Sequence, residues 1–216
     1  IPGKVVVSGA SGHNGFNTVK MLMQLPEVTG LVALVHDSKN IDMVEARFRS
    51  YDESVSRHSH VHPIVTADPQ AAEHAHVWIN WKGMNLATLK RENPNLEKDA
   101  AQKGRHLRDM LIEPNLIIAL QDAKMAIDFA PNCIYIQEGN PADVLTRSVH
   151  NYFRSKLQNY SGGKVISTGT LVEYYRWTKL FSHEFHEINL DRATGLYIGE
   201  HGEKAVPVKD RLILGG

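Results

Sequence analysis

Three glycines set three residues apart close a short apolar run near the start of the chain: Lys4-Val-Val-Val-Ser-Gly9-Ala-Ser-Gly12-His-Asn-Gly15. An amphipathic segment with Val19, Met21, Leu22 and Leu25 follows directly. The order is strand, tight turn, helix, and each glycine has a physical reason to be there. Gly9 permits the turn, Gly12 lets the backbone approach an anion closely, and Gly15 lets the helix pack against the strand. The start of such a helix presents unpaired N–H groups and a partial positive charge, which suit a pyrophosphate. A second apolar run, Leu31-Val-Ala-Leu-Val35, leads to Asp37. An acid about 20 residues beyond the last glycine is where ribose hydroxyls would be held, and its charge would repel a 2′-phosphate. NAD is therefore the expected cofactor, with Gly9, Gly12, His13, Asn14, Gly15 and Asp37 as its first candidate residues.

Composition narrows the alternatives. At 216 residues and 42% hydrophobic, the chain can bury a sizeable core. Its formal charge is zero, which gives no global electrostatic case for nucleic acid or an anionic membrane, so neither is expected as a partner. No apolar run is long enough for a membrane span. The start, Ile1-Pro2-Gly3, runs straight into a strand, so no signal peptide is expected. A single cysteine, Cys133, cannot form an intrachain disulfide, and a reducing, cytoplasmic setting is the natural expectation. Histidines cluster as His58, His60 and His62 and again as His74 and His76. Alternating histidines can share a strand face and bind zinc, but no cysteine or carboxylate of zinc-type spacing accompanies them. No metal is expected.

The first half alternates in period. Strands are expected at 4–8, 31–36, 61–65 and 75–80, and helices at 14–24 and 41–49. Asp68-Pro69 caps a short helix that runs to Glu73. This βαβ rhythm predicts a doubly wound parallel sheet. From Lys82 to Leu107 the residues become polar, which predicts two short helices or a mobile lid outside the core. A buried helix is expected over 111–129 on the spacing of Leu111, Ile118, Met125 and Phe129. A strand follows at 134–136, a helix at 144–157 and a brief strand at 165–166. A helix at 171–186 and a strand at 194–198 complete the series.

Four further patterns fall in sequence: Arg108-Asp-Met-Leu-Ile-Glu-Pro-Asn115, Gly139-Asn-Pro-Ala-Asp-Val144, Gly169-Thr-Leu-Val-Glu-Tyr-Tyr-Arg176 and Gly199-Glu-His-Gly-Glu203. Together with the glycine turn and Asp37, they resemble the lactate/malate dehydrogenase family from Lys4 to about Val208. The resemblance implies a Rossmann-type domain followed by a partial α+β substrate domain. Their expected limits are 1–145, with a lid insertion at about 84–107, and 146–216. It also implies an NAD-dependent L-2-hydroxy-acid dehydrogenase that acts on a small 2-hydroxy or 2-oxo acid.

Under that resemblance each site residue acquires a role. His201 matches the proton donor–acceptor, a task that suits an imidazole titrating near neutrality. Glu173 stands where the family has an aspartate that orients the histidine. Arg176 matches the carboxylate clamp, where a planar guanidinium grips two oxygens at once. Arg108 resembles the lid arginine that polarises the substrate carbonyl once water is expelled. Gln102, six residues earlier, favours lactate/pyruvate slightly over malate/oxaloacetate. Asn140 resembles the residue that contacts substrate and nicotinamide ribose, while Gly83 and Asn115 complete the cofactor set.

Three departures stand out. Glu173 is one methylene longer than the usual aspartate. Residues Met84–Ala101 look inserted into the lid. The chain stops at Gly216, where family members continue into further strands and helices. A catalytically impaired NAD-binding protein with a regulatory or structural role is therefore the alternative reading. A homodimer or homotetramer is expected, since a shortened sheet domain would expose apolar helix faces.

Overall fold

The computed structural model describes residues 3–54, 59–160, 162–169, 197–198 and 206–207. By its contacts the chain divides into Ile1–Ser167 and Thr168–Gly216. In the first unit, strands β1 (Gly3–Ser8), β2 (Val28–Leu34), β3 (Ile64–Thr66), β4 (Val77–Asn80), β5 (Ile134–Gln137) and β6 (Val165–Ile166) form one sheet of order β3-β2-β1-β4-β5-β6. Every pairing is parallel. The order reverses beside β1, between it and β4, which is where open α/β sheets bind ligands beyond their strand ends.

Strand period explains the two cores. Val5 and Val7 face one side of β1 and Val6 the other, and Leu31 and Ala33 oppose Val32 and Leu34 on β2. The first face packs Phe16, Val19 and Met23 of α1 (His13–Met23) with Val44 and Phe48 of α2 (Ile41–Ser54). The second face packs α5 (Ile112–Phe129) and α6 (Ala142–Lys156) through Ala119, Ala123, Ala126, Leu145, Val149 and Phe153. Strands buried on both faces read as continuous apolar runs, as β1 and β2 do.

The structure revises several expectations. β3 begins at Ile64, not at Val61, because Pro63 has no N–H to give to a ladder. β4 begins at Val77, because His74 adopts φ 61 and its neighbours turn. The polar stretch holds two helices, α3 (Leu86–Glu92) and α4 (Leu96–Gln102), and Leu96 and Ala100 are buried, so part of this excursion joins a core. Asp68 caps the short turn at Pro69–Ala72 by accepting from Gln70 N at 2.9 Å, as expected. α5 buries a line of small and polar residues, Asn115, Ala119, Asp122, Ala123 and Ala126. Ile118, Met125 and Phe129, expected at the centre of that face, flank it half-buried. A narrow alanine line is what lets a helix approach a sheet that carries Trp78 and Tyr135. α6, expected in a second domain beginning at 146, packs on α5, β5 and β6, so it belongs to the sheet unit.

In the second unit, β7 (Tyr197–Ile198) pairs antiparallel with β8 (Val206–Pro207). No helix among the described residues is long and apolar enough to cross a membrane. No cluster of three or more His, Cys, Asp or Glu suited to a metal occurs among the described residues. Two of the clustered histidines have polar neighbours: His76 Nδ1 accepts from Lys4 N at 3.2 Å, and His62 lies 3.6 Å from Asp52.

Cys133 is fully buried, and desolvation pushes its thiol from an ordinary 9.0 up to about 12. Two outcomes are expected. A thiol reagent should modify the native protein only at the rate of unfolding. Because the unfolded thiol ionises first, the unfolded chain binds fewer protons between pH 9.0 and about 12, and stability should fall as pH rises through that window. Thermal melts across the range would check the sign. Tyr135, buried beside the Asp122 carboxylate, is shifted upward for the same leading reason and adds in the same direction.

Candidate functional site

β1 runs out at Ser8, and the chain turns through Gly9 at φ +83, a left-handed conformation that side chains disfavour. The N–H groups of Gly9 and Ala10 both donate to Leu34 O, at 3.0 and 3.1 Å, which pins the turn to the end of β2. Gly12 is the N-cap of α1, in extended conformation and with no side chain to occupy the first-turn N–H groups. No acid sits in that first turn. An ideal Cβ on Gly15 would lie 2.3 Å from Gly9 O, so only glycine lets α1 start this close to the turn. His13 and Asn14 are exposed on the first turn, where His13 Nε2 lies 3.1 Å from Asn17 Nδ2. These features form a backbone cradle for an anion.

Asp37 is exposed just beyond β2 and caps a short turn at Ser38–Asn40, with Oδ1 accepting from Lys39 N at 3.0 Å. An ionised carboxylate accepts at several lone-pair sites, so this bond leaves capacity for a ribose hydroxyl. Arg47 on α2 went unnoticed in the sequence. Its guanidinium stacks 3.8 Å above the Phe16 ring and donates to Ser11 O at 3.2 Å, bracing the turn from outside.

Across the switch point, Gly83, Asn115 and Asn140 come together. Asn115 is buried at the start of α5. Its Oδ1 accepts from Met84 N at 2.5 Å, and its Nδ2 donates to Met84 O at 3.0 Å and to Asn140 O at 2.7 Å. The amide therefore joins the chain leaving β4 to the chain leaving β5, where the Asn140–Pro141 peptide is cis. Gly83 lies against it: a Cβ there would meet Asn115 Oδ1 at 3.6 Å.

Gln102, the last residue of α4, and Arg108, in the 3-10 turn Leu107–Leu111, are both exposed. His106 and Asp109 cap that turn reciprocally, and α3, α4 and α5 pack on it. Glu173, Arg176 and His201 lie outside the described residues.

Below the strand ends is a feature that no sequence motif announced. Asp122, 0% exposed in mid-α5, accepts from Ser8 Oγ at 2.5 Å, Trp78 Nε1 at 2.8 Å and Tyr135 OH at 3.0 Å. The Lys82 ammonium lies 3.2 Å from its Oδ1. Beside it, Asn80 Nδ2 donates to Gln137 Oε1 at 3.0 Å, and Asn80 Oδ1 accepts from Lys82 N at 2.8 Å. Gln137 Nε2 is buried without a partner among the described residues.

Strand order and the glycine turn at the switch point define a Rossmann-type α/β fold. Over half its length the chain is similar in sequence to L-lactate dehydrogenases, and its fold is similar to that of a malate dehydrogenase. It is 30% identical over 109 residues to the L-lactate dehydrogenase A chain of Fundulus heteroclitus, covering 50% of this chain and 31% of that protein. Identity is 29% over the same length to the corresponding chains of Sphyraena argentea and Dissostichus mawsoni. Among solved structures, malate dehydrogenase from Salinibacter ruber superposes with a TM-score of 0.75 at 17% identity. That superposition covers 99% of this chain and 59% of the malate dehydrogenase. The aligned segment thus spans under a third of the curated relatives' length. No family model matches the chain.

Proposed function

We propose that this chain is an NAD-dependent L-2-hydroxy-acid dehydrogenase that acts on a small 2-hydroxy/2-oxo acid. The observation that carries the reading is the cradle at Gly9, Gly12 and Gly15 together with the Asp37 carboxylate beyond β2. The residues fit the group: a Cβ at Gly15 would strike Gly9 O, and α1 begins with neither a side-chain cap nor an acid. His13 and Asn14 would border the pyrophosphate, Asp37 would take the ribose hydroxyls, and Gly83 and Asn140 would stand toward the nicotinamide. Asn115 would act by holding those two segments together. When bound, NAD supplies a hydride acceptor for the substrate's C2 carbon.

The chain's own groups divide the rest of the chemistry. Arg176 grips the substrate carboxylate through paired N–H donors. Arg108 is brought in with the lid and polarises the carbonyl oxygen. His201 takes the hydroxyl proton during oxidation and returns it during reduction, and Glu173 orients the imidazole and stabilises its charged form. Gln102, uncharged, suits the methyl of pyruvate slightly better than the second carboxylate of oxaloacetate. A homodimer or homotetramer and a cytoplasmic, reducing setting complete the proposal. Met21 and Met43, 72% and 50% exposed on α1 and α2, are apolar surface that a partner subunit would cover.

The test mixes protein with NADH and either pyruvate or oxaloacetate and follows the near-ultraviolet absorbance of NADH. Oxidation with pyruvate exceeding that with oxaloacetate is expected. Glu173 in place of the family's aspartate favours a second reading, a protein that binds NAD without turnover. Saturable NADH binding with a flat rate on both substrates would select that reading.

A further inference from the structure

We infer that Asp122 is a positioning residue for the dinucleotide site, holding the glycine turn and the ends of β4 and β5 in register through Ser8 and Lys82. The inference rests on the dinucleotide reading above, and it starts from an anomaly. A carboxylate with 0% exposure sits on the alanine face of α5, where an apolar side chain would fill the space without the cost of burying a charge.

Its four donors fall into two pairs. Trp78 and Tyr135 register beside Val6, two residues back from the strand ends, and reach no loop residue; besides Asp122 the Tyr135 hydroxyl has only a long contact, 3.5 Å, to Gln137 Oε1 at the end of β5. Ser8 and Lys82 differ. Ser8 is the residue before Gly9, so its bond to Asp122 sets where the turn begins. Lys82 presses on the turn itself: an ideal Cβ on Gly9 would lie 3.0 Å from Lys82 N and 3.3 Å from Lys82 Cγ. The Lys82 N–H is held by Asn80, whose amide is paired with Gln137. Lys82 O in turn lies 3.1 Å from where a Cβ on Gly139 would be, next to Asn140. One buried charge is therefore linked to the cofactor turn on one side and to the Asn140 segment on the other. A core carboxylate kept only for stability would not need donors that reach both loops.

Ser8→Ala and Tyr135→Phe each delete one hydroxyl bonded to the same carboxylate, and only the first touches the turn. Ser8→Ala should raise the NADH dissociation constant roughly tenfold, the scale of one hydrogen bond to a charged group. It should also speed amide hydrogen exchange at residues 9–12 in the ligand-free protein. Tyr135→Phe should lower the melting temperature comparably while leaving both readouts unchanged, and Ser8→Thr, which keeps the hydroxyl, should restore both. Unchanged exchange and affinity in Ser8→Ala, or an equal loss of affinity in Tyr135→Phe, would overturn the inference. If the wild-type protein binds no NADH, the dinucleotide reading falls by itself. The exchange comparison then still decides whether Asp122 controls the turn.

Discussion

Asp122→Ala should cost about 3–5 kcal/mol of folding stability, the usual penalty for removing one partner of a buried ion pair. Against a total of about 5–15 kcal/mol for a typical domain, that leaves the variant partly unfolded near physiological temperature. The mechanism is loss of an acceptor, not of volume alone. Trp78 Nε1 and the Ser8 hydroxyl would face a pocket that offers them nothing, the Tyr135 hydroxyl would keep only Gln137 Oε1 at 3.5 Å, and the Lys82 ammonium, only 17% exposed, would lose its counter-charge. Urea titration followed by intrinsic tryptophan fluorescence would measure the shift in midpoint. Asp122→Asn, which keeps one carbonyl acceptor, should lose less. The double variant Asp122→Ala/Lys82→Met should cost less than the sum of its singles, because removing the ammonium also removes the unpaired charge. Additive losses would mean that Lys82 and Asp122 do not act as a pair.

That network also marks how far the sequence could be read. The βαβ alternation and the glycine turn are local, with signals that lie within about 30 consecutive residues, so β1, α1, β2, α5 and β5 stand near where their periodicity puts them. The strand order then follows from how such units wind. Asp122 gave no comparable sign. In Leu120-Gln-Asp-Ala-Lys-Met125 it reads as a solvent-facing acid, since its partners lie on β1, β4 and β5, distant in the chain. A helical wheel does offer one clue: Asn115, Ala119, Asp122 and Ala126 share a stripe, and small residues on both sides of an acid suggest a face pressed on the sheet. Weighting large apolar residues alone hid that stripe. Arg47 was illegible for a different reason: its partner is a backbone carbonyl, Ser11 O, and no side-chain pattern encodes such a bond. Within the site, Gly83, Asn115 and Asn140 lie together, but the sequence could not tell that Asn115 spends its amide on the backbone at Met84 and Asn140.

The last two glycines of the motif, Gly12 and Gly15, should separate folding from binding. In Gly15→Ala the new methyl would sit 2.3 Å from Gly9 O, 2.8 Å from Gly9 C and 3.0 Å from Ala10 Cα, all of them backbone atoms that cannot rotate away. α1 must then back off from β1. Overpacking of this kind costs about 1–3 kcal/mol, and it shifts the first-turn N–H groups away from where the pyrophosphate would sit, so both melting temperature and NADH affinity should drop. In Gly12→Ala the methyl would meet only Gly9 O, at 3.4 Å, an ordinary contact, and φ −73 is open to any residue. The fold should therefore survive with its melting temperature nearly intact. Yet the methyl would stand at the N-cap, where an anion must approach the first-turn N–H groups, so NADH affinity should still fall sharply. Calorimetric melts and NADH fluorescence titrations on the two variants give the contrast directly. Gly12→Ala binding NADH as tightly as wild type would mean that the cradle at the start of α1 is not where the pyrophosphate goes, and the dehydrogenase reading would lose the observation that carries it.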